Sequence, residues 1–551
     1  MGVSAQQKRA AAPARAGFQI SGALVDAVTG QPLAHARVAI APVTQRNDFT
    51  TVITGEDGRF LFSNLAPGKY ALAAQAHGYL LQSFNQHEQF SSSIAVGLEL
   101  DSGNLLFRLP PESAISGVVT DEAGEPVREA QVTLYFTGLA AGTEATRLRG
   151  RATTDDQGSY HFGHLAAGRY VVAVSAKPWY AQYPSPGFGG VRVIANGSGG
   201  YVGSIMSTTG TAGLREAQAN PVNPQLDVAY PITFYSGVTD AASATPIVLG
   251  VGEKFAADVN LQPVPALHVR INTGSDSASG TFFVLERRVL DGPPIQVPAE
   301  TRGVGQGVEE IVGIPAGHYT VKSYNPSKDG PGEWSPSHEI DINDEGEIDH
   351  GHGSSYVPVA AALKFDSGAP DRQAWLQLLN KKSRALFSAR VNSDGEAVFK
   401  QGVPAGSYEV SIANTPGVYL KGISATGTKV SGRTIEIQPG HPVKLAISAA
   451  RGEGAITGTA LRDGKPCAGA MIVLVPADPA HSQVLFRRDQ SDSDGTFTLP
   501  QVVPGAYTVL AIENGWKLEW MNPEVLKNYL AGGTRIQAQP NGKYNVKVTV
   551  Q

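Results

Sequence analysis

The 551-residue sequence predicts an all-β protein of five tandem sandwiches. Three observations carry that prediction: strand-turn-strand passages that recur along the chain, five tyrosines in one repeated context, and a surplus of turn residues. With 63 Gly and 36 Pro, roughly 18 per cent of the chain is turn-forming, against about 12 per cent in average usage. Turns are therefore frequent, and the 42% hydrophobic content leaves ample side chain to bury between them.

The first passage reads ISGALVDAVTGQPLAHARVAI at 20–40, ISGVVTDEAGEPVREAQVTLY at 115–135 and ITGTALRDGKPCAGAMIVL at 456–474. In each, a period-two strand leads into a Gly-x-Pro turn and a second strand of the same period. Proline at the turn exit cannot donate to a ladder, so it marks where pairing has not begun. The second passage is TGEDGRFLFSNLAPGKYALAA at 54–74, with counterparts at 153–174 and 491–512 and weaker copies at 308–324 and 392–413. Its shared elements are a glycine-closed turn, a strand, then Pro/Ala-Gly-x-Tyr and another strand.

Tyr70, Tyr170, Tyr319, Tyr408 and Tyr507 hold the same place in this second passage, 100, 149, 89 and 99 residues apart. Spacings near 100 match one sandwich each, with the tyrosine at a strand corner. The chain divides into a flexible tail over 1–17 and sandwiches over 18–111, 112–264, 265–355, 356–451 and 452–551, the third and fourth being degenerate copies. An insertion at 177–230, rich in Gly, Ser, Thr, Pro and Asn, lengthens the second and is read as an excursion loop. Asn522-Pro523-Glu524 has the cap and first-turn proline of a short helix near the C-terminus. Proline-bearing joints at 108–113 and 261–266 should limit bending between neighbours, so the expected object is an articulated rod.

Charge and cysteine usage exclude several classes. Lys plus Arg (44) against Asp plus Glu (49) gives a net charge of −5 and no field for nucleic acid. A single cysteine, Cys467, excludes an internal disulfide and a Cys-cluster zinc site. No run has the 18 or more apolar residues of a transmembrane segment. Residues 1–17 lack the apolar stretch of a signal peptide, and the start of the chain leaves export open.

With Ser21-Gly22, Asp26, Gly30, Pro32, Asp57-Gly58, Phe60, Leu65, Pro67-Gly68, Tyr70 and Gly78-Tyr79, the first unit resembles the carboxypeptidase regulatory-like domain. The second matches through Ser116-Gly117, Asp121, Gly124, Pro126, Gly158, Tyr160, Leu165, Gly168 and Tyr170, and the fifth through Gly458, Asp463-Gly464, Pro466, Asp494-Gly495, Phe497, Pro504-Gly505 and Tyr507. The resemblance implies transthyretin-like, or Ig-like, sandwiches. It also implies a bacterial envelope protein carrying several copies without a catalytic neighbour, and it shades toward starch-binding sandwiches. The matched positions are turn, core and corner residues, so they speak to fold and not to function.

No catalytic residue is expected. None of the twelve histidines is followed at the third position by Glu, so the metal-binding pattern of the peptidases that accompany these domains is missing. A calcium loop around Gly495 would need oxygen ligands of the right kind where Gln490 and Gln501 stand. His350 and His352 in DHGHG, with Asp349 or His338, lack a third ligand fixed by spacing and read as a solvated connector. Neither a metal nor a cofactor is expected.

Aromatic residues are the best functional signal. Trp179, Tyr180, Tyr183 and Phe188 lie among prolines and glycines just after a strand, where no alternation would bury all four. Aromatic faces stack on the C–H faces of sugars, so they are candidate carbohydrate-binding residues, weighed against covering the end of their own sandwich. Trp516 and Trp520 carry the same two readings, with anchoring of the short helix favoured. The functional expectation is a non-enzymatic extracellular or cell-envelope protein that spaces or presents a surface for a glycan or an envelope protein. Its alternatives are a dedicated carbohydrate-binding accessory protein, and a subunit that self-associates into a surface layer or filament.

Overall fold

The computed structural model describes residues 17–100, 102–140, 142–183, 192–195, 201–204, 223–272, 282–290, 292–305, 308–325, 333–334, 338–344, 346–349, 356–366, 373–382 and 385–551. Among them, ten sheets pair into five sandwiches, with two further two-stranded pairings.

One topology recurs in all five. The opening strand lies between an antiparallel neighbour and a parallel closing strand. In the first sandwich Phe18–Asp26 pairs antiparallel with Arg59–Leu65 and parallel with Leu105–Leu109. The fourth repeats this with Tyr356–Phe365, Glu396–Pro404 and Val443–Arg451, and the third with Leu267–Asn272, Val308–Ile314 and Gly346–Asp349. The third and fourth units are therefore degenerate in sequence and regular in fold. In the facing sheet of the first sandwich Arg37–Pro42 lies between Thr50–Ile53 and Gly68–Gln75. Alternation points Ile20, Leu24, Val38, Ile40, Leu72 and Ala74 into the space between the sheets, where Tyr70 joins them.

Every corner tyrosine donates its hydroxyl to the carbonyl four residues upstream: Tyr70 to Ala66, Tyr170 to Ala166, Tyr319 to Pro315, Tyr408 to Pro404 and Tyr507 to Val503, at 2.5–3.0 Å. Six residues before each tyrosine the backbone turns left-handed, at Asn64, His164, Gly313, Gly402 and Gln501, and the pairing with the opening strand shifts register beside it. The bulge re-aims the chain so that the corner carbonyl faces the phenol. Tyr507→Phe should cost the fifth sandwich about 0.5–1.5 kcal/mol in urea unfolding, since the buried Val503 carbonyl loses its donor while packing is kept. An unchanged midpoint would show that the corner bond contributes nothing there.

Two strands are buried on both faces. Gly168–Ser175 sends Tyr170, Val172 and Val174 into the second core, while Val171 and Ala173 enter a cluster with Val269, Phe283, Leu285 and Tyr319 of the third sandwich. Met471–Pro476 likewise sends Ile472 and Leu474 inward, and Met471, Val473 and Val475 to a second layer with Trp520, Met521 and Leu526. That layer includes the expected helix, Pro523–Leu530, whose N-cap Asn522 accepts from the Glu524 N–H at 3.1 Å. Trp520 thus anchors the helix.

The tandem sandwiches do not extend as a rod. The first sandwich packs against the fifth, through contacts such as Ser92 Oγ to the Ser491 carbonyl at 2.8 Å and Ser93 N–H to Asp492 at 2.7 Å. The physical reason is that the joints do more than restrict bending. Leu80 and Gly78 bond across to Pro110 and Glu112, and Val264–Pro265 pairs with Val228–Ala229, so these two joints are strapped to the sandwich before them. The insertion also departs from a plain excursion loop: Arg192–Ala195 pairs antiparallel with Tyr201–Ser204, and Gln182 N–H reaches the Leu226 carbonyl at 2.8 Å.

Candidate aromatic site on the second sandwich

The four aromatic candidates separate once the insertion folds. Strand Gly168–Ser175 is paired on both sides, and beyond its end Pro178 starts a turn closed by the Ala181 N–H on the Pro178 carbonyl at 3.1 Å. That turn throws Trp179 outward, 87% exposed, with its ring edge-to-face against Tyr180 at 5.8 Å and 86°. Tyr180 is fixed from below, donating its hydroxyl to Glu122 Oε1, while Tyr230 donates to Glu122 Oε2 at 2.8 Å. Burial pushes the Glu122 carboxyl up, and hydrogen bonds from Tyr180, from its own backbone N–H and from Tyr230 together outweigh it and hold it below the usual value. The Tyr180 hydroxyl is pushed up to about 12 by burial and then by the Glu122 carboxylate. Both phenols therefore stay protonated donors at neutral pH.

Tyr183 does not belong to this surface. It is 6% exposed and packs with Ala229, Ala266 and Val312, its ring lying against Gly313 of the third sandwich. Lys177 Nζ sits 4.7 Å from the ring centroid and Arg302 5.9 Å, and Glu300 pairs with both cations. A tyrosine desolvated between two domains cannot offer a face to a sugar, so this candidate is corrected to an interface residue. Phe188 lies outside the described residues. Sequence reasoning missed Glu122 and Tyr230: an acid in a DEAG turn and a tyrosine over 100 residues away carry no periodic signal that they meet.

The other motifs resolve similarly. Trp516 stacks on His87 of the first sandwich at 4.7 Å and 6°. Gln490, weighed at the first position of a calcium loop, is buried and donates to the Asn85 carbonyl at 2.7 Å. Among the described residues no three His, Cys, Asp or Glu side chains gather as metal ligands, and no helix is long and apolar enough to cross a membrane. His350 and His352 lie outside the described residues.

Fold and site define a class, a multi-domain β-sandwich protein with an exposed aromatic pair. Two of its segments, 19–95 and 114–187, match the family model of the carboxypeptidase regulatory-like domain, so the chain carries that domain in more than one copy. No curated protein matches. Solved structures similar to this chain include a streptococcal ancillary pilin, at 10% identity over 52% of this chain and 98% of that one, with a TM-score of 0.19. BcpA, the major pilin subunit of Bacillus cereus, is 10% identical over 80% and 99%, with a TM-score of 0.14. Two B repeats of the collagen binding protein of Staphylococcus aureus are 12% identical over 80% and 99%, with a TM-score of 0.14. Scores this low carry no conclusion about this chain.

Proposed function

We propose that this chain is a non-enzymatic, exported or cell-envelope protein whose sandwiches hold the Trp179–Tyr180 pair as a binding surface for a glycan or an envelope partner. The observation that carries the reading is the pre-set geometry of that pair: an exposed indole with its neighbour fixed by a carboxylate that is itself held by a second tyrosine. A side chain immobilised before contact loses little entropy on binding, which favours recognition of a flat, weakly apolar ligand face. Titration of a polysaccharide panel should find a ligand that Trp179→Ala binds at least tenfold more weakly with its melting temperature unchanged. Failure of every glycan to bind the native chain would end the carbohydrate reading.

Self-association is a second reading with its own observation. Thr50–Ile53 is a sheet-edge strand in the first sandwich, and Phe49 just before it and Ile53 at its far end both lie in solvent, the kind of edge that proteins usually blunt. Light scattering showing a strictly monomeric mass at high concentration would count against it.

A further inference from the structure

The junction of the first and fifth sandwiches joins residues about 400 positions apart, and its chemistry differs from that of every core. On the first sandwich it uses Lys69 and the segment 85–95; on the fifth, strand Arg487–Gln490 and the turn that follows. Gln490 is enclosed by polar partners, donating to the Asn85 carbonyl at 2.7 Å and Ser92 Oγ at 2.9 Å while His87 Nδ1 lies 3.0 Å from its oxygen. Backbones also meet: Ser493 N–H donates to the Ser93 carbonyl at 3.0 Å and Ala95 N–H to Ser493 Oγ at 2.8 Å. Arg488 grips Glu88 with both terminal nitrogens, at 2.6 and 3.2 Å. Its side chain is 4% exposed, and the guanidinium carbon lies 4.2 Å from the Trp520 centroid and 4.9 Å from that of Phe90.

One comparison within the chain shows that the contact is built. In the second and fourth sandwiches the residue three before the turn glycine closes its own turn: Asp155 accepts from the Gln157 and Ser159 N–H groups, and Asn392 from Asp394 and Glu396. In the fifth this residue is Asp492, and its carboxylate turns outward to Ser93 N–H and to Lys69 Nζ at 2.5 Å. Asp494 takes over the local duty, accepting from the Thr496 N–H at 3.1 Å. In the first sandwich Gly55 stands at the earlier position and Asp57 likewise accepts from the Arg59 N–H at 3.1 Å, so the local bond needs only the later acid, and what sets the fifth apart is a second carboxylate at the earlier position turned to another sandwich.

We propose that the first and fifth sandwiches form a latch that closes the chain on itself and opens while both sandwiches stay folded. Separation costs neither core: apart from Ile94, which is turned into the first core, none of the latch residues named belongs to the cluster around Ile20 and Leu72 or to that around Ile456 and Leu474. What separation exposes is mainly hydrogen-bonding and charged groups that water can satisfy, together with the rings of Phe90, His87 and Trp516. Bidentate arginine-carboxylate geometry with aromatic stacking makes Arg488 its strongest single point.

The test uses the full chain carrying Ser93→Cys and Ser493→Cys, treated in dilute solution with a short bismaleimide, beside small-angle scattering. The latch requires rapid linkage within single molecules. Arg488→Glu should slow that linkage at least tenfold and enlarge the radius of gyration, with circular dichroism unchanged, and adding Glu88→Arg should recover part of the rate. Linkage mainly between molecules, linkage no faster than for a cysteine pair on remote surfaces, or a native rate and size in Arg488→Glu would each overturn the proposal. If Arg488→Glu lost its circular dichroism signal, separation without unfolding would be refuted.

Discussion

Gly117→Val is expected to unfold the second sandwich under conditions where Ser116→Val, one residue earlier, leaves it intact. The two positions differ in what a side chain would meet. A Cβ on Gly117 would stand 2.3 Å from the Ala257 carbonyl oxygen and 3.0 Å from the Tyr160 hydroxyl, whereas Ser116 faces solvent. The oxygen belongs to backbone beside the parallel closing strand, so relief of the clash requires that strand to leave. Forced overpacking costs about 1–3 kcal/mol even where side chains can yield, and here the parallel ladder goes with it, so a loss above about 3 kcal/mol is expected. Urea unfolding together with limited proteolysis in the segment 254–260 measures both parts. A Gly117→Val chain within about 0.5 kcal/mol of native, the usual range for surface changes, would refute the close-approach argument.

The same reasoning explains why the opening passage repeats where it does. Gly22 and Gly458 would bring a Cβ to 2.2 and 2.4 Å from the carbonyls of Leu105 and Val546. In these three sandwiches the residue across the antiparallel pair is aromatic: Phe60, Tyr160 and Phe497. Each ring covers the space that the missing side chain leaves. At the same register the third and fourth sandwiches pair Ile271 with Glu309 and Ala361 with Ala397. Glycine and aromatic ring are present together or absent together, which is why the sequence grammar fades in those two units while their topology persists.

Tyr135→Ala should separate the second and third sandwiches. Tyr135 is fully buried, yet it points away from its own core into that of the third sandwich, and its hydroxyl donates to the Pro293 carbonyl at 2.8 Å. Truncating a buried aromatic removes about 3–5 kcal/mol, and here the loss falls on the interface. Calorimetry should resolve the joint transition of these two sandwiches into separate steps, with the third melting first because its cluster loses the ring. Tyr135→Phe, which forfeits only the hydrogen bond, should cost about 1 kcal/mol and keep one step. A single unchanged transition in Tyr135→Ala would mean that the shared core does not couple the domains.

Much of this was readable from residues a few positions apart. The five corner tyrosines, the Asp-Gly turns and the capped helix at Asn522 act through hydrogen bonds within a turn, so their spacing is their geometry. At Gly158, for example, a left-handed φ of +70° and a carbonyl 2.5 Å from any Cβ both demand glycine. The aromatic loop was legible only as composition. That Trp179 would face water and Tyr183 would enter the third sandwich depended on Glu122, Tyr230, Lys177 and Gly313, none of them near in sequence. One clue to the coupling was present, since YVVAVS and MIVLVP are apolar without alternation while YALAAQ in the first sandwich alternates. Unbroken apolar strands need cover on both faces.

From sequence alone, then, came the strands, the turns, the five-fold repetition and the helix, because each is written in a period of two or in a backbone preference that neighbouring residues satisfy. Tertiary structure decided which strands had a second partner, which aromatic rings reached solvent, and that the expected rod closes between Lys69 and Asp492. Such contacts join polar residues hundreds of positions apart, and a single aspartate reads alike whether it caps its own turn or grips a neighbour; only the folded path of the chain tells the two apart.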